Sequence, residues 1–296
     1  MSEEQTTYQL ASINSPNITG IKGLSFAEFT MYEDYINTLL RLTQDERFFD
    51  LVTLNHTDLK ARINEYINEY DKNPNIFLAE GNPVYLNINR LILNFLSSLR
   101  TFLDHTETRL KRQYGQDSEE FKIFKVLTNN AFDESFGYRF LYKLRNYSQH
   151  CGLPSGAMNT YSTGNEKGET VNTLSLFLVR DDLLKNYDSW GEKVKEELKN
   201  QPDYFDIMPL VDEMFEQLKT INLKINSKVY LKFQLEANSL MNLLWETEKV
   251  GGIPCLLKTV GIGKGLKLTV IHFPFETISK ITGVFMDVQF IGEPKL

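Results

Sequence analysis

Apolar positions recur at helical spacing through most of residues 24–152 and take on strand-like spacing only beyond them. Ser25 precedes Glu28 by three residues, a capping-box signature, and Phe29, Tyr32, Ile36, Leu39 and Leu40 follow at helical intervals, so the pattern predicts a helix over 26–43. Thr57 reads as a second start ahead of Leu59, Ile63, Tyr66, Ile67 and Tyr70, with Asn73-Pro74 closing a helix over 58–71. The longest stripe opens at Asn82-Pro83 and carries Ile88, Leu91, Ile92, Phe95, Leu99, Phe102, Leu103 and Leu110 to about residue 113, where Gly115 stops it. Ser118-Glu119-Glu120 opens a further helix with Phe121, Phe124, Val126 and Leu127. Asp133 is the predicted cap of the last one, whose core face is Phe136, Phe140, Leu144, Tyr147 and Cys151 and whose end is Gly152-Leu153-Pro154.

From residue 155 the character changes. Ser155-Gly156 and residues 160–170 read as polar loop, 173–179 as a strand, and 181–199, 205–221 and 235–249 as helices with Trp190 and Trp245 as core anchors. The tail over 251–291, rich in Val, Ile, Phe and Thr between glycines and prolines, predicts a small sheet. The expected fold class is therefore mainly α, a helical bundle with additional helices and a small β-containing C-terminal part. The expected divisions are an N-terminal extension over 1–23, a helical domain over 24–156 and an accessory α+β region over 157–296.

Composition narrows the function classes. With 296 residues, 42% hydrophobic and 24% charged, the chain can bury a large core. An apolar run of the roughly 18 residues needed for a membrane span is missing, so no membrane association and a cytoplasmic location are expected. Cys151 and Cys255 form no C-x-x-C pair and read as small core residues, so neither a zinc ribbon nor a redox dithiol is expected. A net charge of -7 argues against a broad basic surface that coats duplex nucleic acid; RNA chemistry here needs a local patch. Gly261-Ile262-Gly263-Lys264-Gly265 lacks Walker spacing and reads as a hairpin turn. His56 and His105 have no metal-ligand companions at useful spacing, His272 between Ile271 and Phe273 in a strand-like run reads as structural rather than catalytic, and no cofactor is expected.

One stretch remains, Leu144-Arg145-Asn146-Tyr147-Ser148-Gln149-His150, an R-N-x-x-x-H pattern at the end of an amphipathic helix. It pairs a fixed cation with a side chain that titrates near neutral pH, the two groups needed to move a proton at a ribose 2′-hydroxyl and to hold charge on phosphorus. At about 100° per residue Arg139, Lys143, Asn146 and His150 share one flank, either a solvated face or an RNA-contacting one. Arg145 stands about 140° from His150, so cooperation needs a reaching side chain, an irregular helix end or a second copy of the helix. On the long helix, Arg100 and Glu107 lie on one flank with Asn89 and either support their own helix or orient Arg145 and His150. Arg109, Lys111 and Arg112 form a basic cluster read equally as a phosphate-contacting patch or as cations complementing the helix dipole.

Over residues 84–152, or more broadly 26–152, this arrangement resembles the HEPN superfamily of helical domains. That resemblance implies a metal-independent endoribonuclease of toxin–antitoxin, anti-phage or RNA-processing type, acting as a homodimer with two motifs in one cleft. Carried over, Arg145 and His150 are the catalytic pair and Asn146 their polar companion, and products end in a 2′,3′-cyclic phosphate and a 5′-hydroxyl. The implied partners are RNA, transfer RNA among the candidates, and an antitoxin or regulatory protein. Some superfamily members instead bind RNA, nucleotide or protein without catalysis, which is the alternative reading for this chain.

Overall fold

The computed structural model describes residues 6–73, 75, 83–164, 167–168, 170–262 and 265–284. The chain is mainly helical with two small antiparallel sheets. Contacts divide it into two compact units, Met1–Glu46 with Ser227–Leu296, and Arg47–Asn226. The boundaries fall inside two long helices and differ from those expected at 23 and 156.

The first unit holds the segment expected as an N-terminal extension. Thr6–Asn14 (β1) and Asn17–Gly23 (β2) form a hairpin, and β1 also pairs along its length with Ile253–Ile262 (β6), giving the order β2-β1-β6-β7 with Gly265–His272 as β7. Leu10 and Ala11 of β1 are fully buried and Cys255 of β6 lies beside Ala11 in the core, where burial pushes its thiol up to about 11. β6 and β7 pair up to Ile262 and Gly265, and Gly263 and Lys264 lie outside the described residues. The part of the expected tail sheet at 285–291 also lies outside them.

Phe26–Lys72 (α1) is one unbroken helix, not two. Residues 24–73 contain neither glycine nor proline, so nothing in the backbone forces the break read between 43 and 58. Within the second unit Phe49 and His56 of α1 pack on Phe102 and Phe95 of Pro83–Tyr114 (α2). The α2 stripe is buried along its whole length, and Gly115, at φ +94°, ends the helix in the left-handed region that a side chain would disfavour. Ser118 caps Glu119–Glu134 (α3) through Phe121 N–H.

Residues 157–164, part of which read as loop, form β3, paired in register with Thr170–Val179 (β4); Tyr204–Asp206 (β5) completes the second sheet in the order β3-β4-β5. The helix expected over 181–199 is split into Arg180–Asn186 (α5) and Glu192–Lys199 (α6) by Gly191, at φ +82°. Met208–Tyr230 (α7) and Gln234–Trp245 (α8) follow, and Phe275–Thr282 (α9) closes the described chain. Trp190 is fully buried, whereas Trp245 is about half exposed and anchors no core. No helix among the described residues is long and apolar enough to cross a membrane.

Candidate functional site

The motif lies on Phe136–His150 (α4). Its N-terminus is set by Ser135, not Asp133: the Ser135 hydroxyl accepts from Tyr138 N–H at 2.9 Å and donates to Glu213 of α7. The Glu213 carboxylate also accepts from Gly137 N–H at 3.2 Å, which places a negative charge at the positive end of the helix dipole. A Cβ on Gly137 would lie 2.5 Å from that carboxylate, so glycine is what admits it.

An aromatic cluster seats the other face. Phe140 and Tyr147 stack on Trp190 at 5.4 and 5.6 Å, joining the motif helix to residues expected to belong to a separate region. This packing, rather than the polar loop after 155, decides which segments form the second unit. Burial raises the Tyr147 phenol against a hydrogen bond from Asn186 that lowers it, and likewise raises that of Tyr138 against the nearby Arg100 charge. At the C-terminus a Cβ on Gly152 would meet Tyr147 Oη at 3.1 Å, so the chain leaves the helix over this ring where the side chain is absent. Cys151, expected in the core, is exposed.

α4 remains regular to its end, with Cys151 N–H still donating to Tyr147 C=O at 2.8 Å. An irregular helix end is therefore not what brings Arg145 toward His150. Arg145 Nη1 donates to Gln149 Oε1 at 2.6 Å and to Asn146 Oδ1 at 3.3 Å. Taking Arg145 as zero, those acceptors stand at about 40° and 100° around the helix and His150 at about 140°, so the guanidinium leans toward the histidine flank. Both acceptors are neutral, and no carboxylate among the described residues pairs with the guanidinium. Arg145 Nε and Ser148 Oγ are buried and without a hydrogen-bond partner among the described residues. His150 is exposed, and its imidazole makes no hydrogen bond among the described residues.

The flank expected to line the site separates into parts. Arg139 is only 3% exposed and its guanidinium is consumed by both carboxylate oxygens of Glu197 and by Phe132 C=O, so it is a structural cation and leaves the RNA-contacting set. Lys143 and Asn146 are half-buried beside it. Arg100 pairs with Asp104 at 2.7 Å and lies over the Tyr142 ring at 4.6 Å, and Glu107 pairs with Lys125 of α3 at 3.3 Å; neither orients Arg145 or His150. Buried Asn89 accepts from Ser155 N–H at 2.9 Å and Tyr85 donates to Ser155 C=O, tying α2 to the chain just past the motif.

These contacts make α2 and α4 antiparallel, with residue 100 level with 142 and residues 85–89 level with 155. Residue 112 thus lies about 30 Å along α2 from the level of His150 at 1.5 Å per residue. Lys111 and Arg112 are exposed and Arg109 half-buried, but the 109–112 patch is remote from the motif end.

Two features had little local signature. Gln149, four residues after Arg145, is a helical neighbour by spacing alone. His56, which shows no useful companion in sequence, donates through Nε2 to Asp212 Oδ1 of α7 at 2.7 Å and stacks on Phe215 at 4.1 Å, while Lys60 also donates to Asp212 at 3.1 Å. Burial would raise the Asp212 carboxyl, but the hydrogen bonds from His56 and Lys60 outweigh it and hold it below the usual carboxylate range. Among the described residues no three His, Cys, Asp or Glu side chains converge in a metal-binding group. No family model, curated protein or solved structure matches this chain.

Proposed function

We propose that the C-terminal end of α4 is the active site of a HEPN-type endoribonuclease, with Arg145 and His150 as its catalytic pair. The observation that supports this most is the state of those two side chains: an exposed, unbonded imidazole, and a guanidinium that leans toward it on neutral partners with donors unspent. Arg139, by contrast, is matched to the Glu197 carboxylate.

In this reading a His150 imidazole takes the proton of a ribose 2′-hydroxyl as O2′ attacks the adjacent phosphorus. The P–O5′ bond breaks, and the departing oxygen takes a proton from the imidazolium of a second copy. Arg145 donates to the non-bridging oxygens as charge builds on phosphorus. General acid–base catalysis of this kind contributes about 10²–10⁴-fold, and loss of one charge-stabilising donor costs about 10²–10³-fold. The azimuth between Arg145 and His150 favours a twofold dimer in which each site draws on both copies. The reaction needs no metal in this account, and RNA is the substrate.

The test is chemical. An RNA oligonucleotide carrying a 2′-deoxy residue at the cleaved position is left intact, while the all-ribose oligonucleotide yields a cyclic phosphate and a 5′-hydroxyl. Cleavage of the 2′-deoxy substrate, or products with 5′-phosphate ends, would refute the proposal.

A further inference from the structure

Six turns of α2 carry a row of exposed side chains with no carboxylate among them. Arg90 and Arg112 stand at its ends, with Asn94, Ser97, Thr101, His105 and Thr108 between, all exposed and all within an arc of about 80°. In a chain of net charge -7 this is an acid-free strip about 33 Å long. The acids nearest it on α2 are spent, Asp104 on Arg100 and Glu107 on Lys125.

Both terminal arginines keep their charge. Arg90 donates through Nε and Nη2 to Asn87 Oδ1 at 3.0 and 2.7 Å, and Asn87 is itself held by donating to Tyr66 Oη at 2.9 Å. The guanidinium is thus fixed in place by a neutral amide, which orients it without neutralising it. Arg112 has no carboxylate partner among the described residues. Each opens on a cavity: one of 390 Å³ beside Arg90, lined also by Asp58 and the Arg62–Glu65 pair of α1, and one of 540 Å³ lined by Arg112, Lys111 and Thr108 together with the ion-paired Asp104 and Glu107.

The antiparallel register of α2 and α4 puts Arg90 level with residue 152, one interhelical spacing of about 8–10 Å from the end of the motif helix. We propose that this row is a track for single-stranded RNA leading from the Arg145–His150 site to the far end of α2, an inference that rests on the ribonuclease reading. Charge complementarity selects the occupant: two guanidinium groups without a carboxylate partner among the described residues, the Arg90 one oriented by Asn87, hold phosphates, and the hydroxyls and the Asn94 amide between them bond a polar strand. At 3.4 Å per stacked nucleotide, or roughly twice that when extended, the row accommodates about five to ten nucleotides.

The test uses full-length protein carrying H150A, so that RNA is bound and not cut, and a fluorescein-labelled 12-nucleotide single-stranded RNA read by anisotropy across a salt series. Adding R90A and R112A removes two phosphate contacts, which lowers the slope of log K against log salt by about 1.4 and weakens binding about 25-fold at 0.1 M salt. R90K with R112K keeps the charges and restores most of the slope. Unchanged affinity and slope in the alanine variant, with wild-type protein still cleaving RNA, would overturn the track and leave the ribonuclease reading standing. Wild-type protein that neither binds nor cuts RNA would overturn both. Binding of poly-glutamate with equal affinity and equal loss in the alanine variant would overturn the RNA assignment in favour of an acidic protein surface.

Discussion

Replacing Arg139 separates a structural cation from an RNA contact. The side chain is 4% exposed and Glu197 opposite it 27%, and the guanidinium also satisfies Phe132 C=O. R139A therefore strands a largely desolvated carboxylate and a carbonyl, a loss of about 3–5 kcal/mol by analogy with broken buried pairs. For a domain of 150–250 residues each kcal/mol moves Tm by about 2–4 °C, so a fall of roughly 6–20 °C is expected. Replacing both partners by methionine removes the stranded charge along with the pair. R139M/E197M is expected to recover much of the loss, with a coupling energy of about 0.5–3 kcal/mol in the double-mutant cycle. Urea unfolding and thermal melts read the stability, and RNA affinity is measured below the transition. An R139A protein as stable as wild type but with weakened RNA binding would refute this assignment and return Arg139 to the substrate surface.

S135A removes the N-cap of α4 and a partner of Glu213, and is expected to cost about 1–2 kcal/mol in urea unfolding while leaving the rate per folded molecule unchanged. Asp212 is held below its ordinary value of 3.8 in the folded chain, so its stabilising contribution is complete above that value and disappears as pH falls through the lower folded one. D212N should lose that contribution at neutral pH and show a shallower decline in stability below about pH 4, seen in melts across a pH series. Q149A frees the Arg145 guanidinium from its better-bonded partner. About a tenfold fall in kcat with little change in Tm is expected, whereas a purely structural role would lower Tm and spare kcat.

Legibility followed the range of the interactions. The α2 stripe and the Ser118 cap could be read because their causes lie within a few residues of one another. The α1 reading failed in its middle because its buried face there carries polar side chains, Glu46 and His56, so the apolar stripe looks interrupted although covered positions recur through Leu42, Glu46, Phe49, Val52, His56 and Leu59 and no residue breaks the backbone. β1 escaped notice because its partner β6 lies some 240 residues away and its own sequence is mostly polar. The same logic governs the site. Arg145 and His150 were visible as a local motif, but the Glu197 that claims Arg139 comes from α6, and no spacing rule on α4 could announce it. The distance between the 109–112 cluster and the motif end follows from the direction in which α2 and α4 pack, which composition does not encode.

Catalysis by Arg145 and His150 is tested by cleavage of total RNA and transfer RNA in EDTA by wild-type, R145A and H150A proteins of matched melting behaviour. Metal-free cleavage by the wild type and at least a hundredfold loss in each variant are expected, with H150A as stable as wild type because the His150 side chain is exposed. Equal cleavage by H150A and wild type would contradict this expectation.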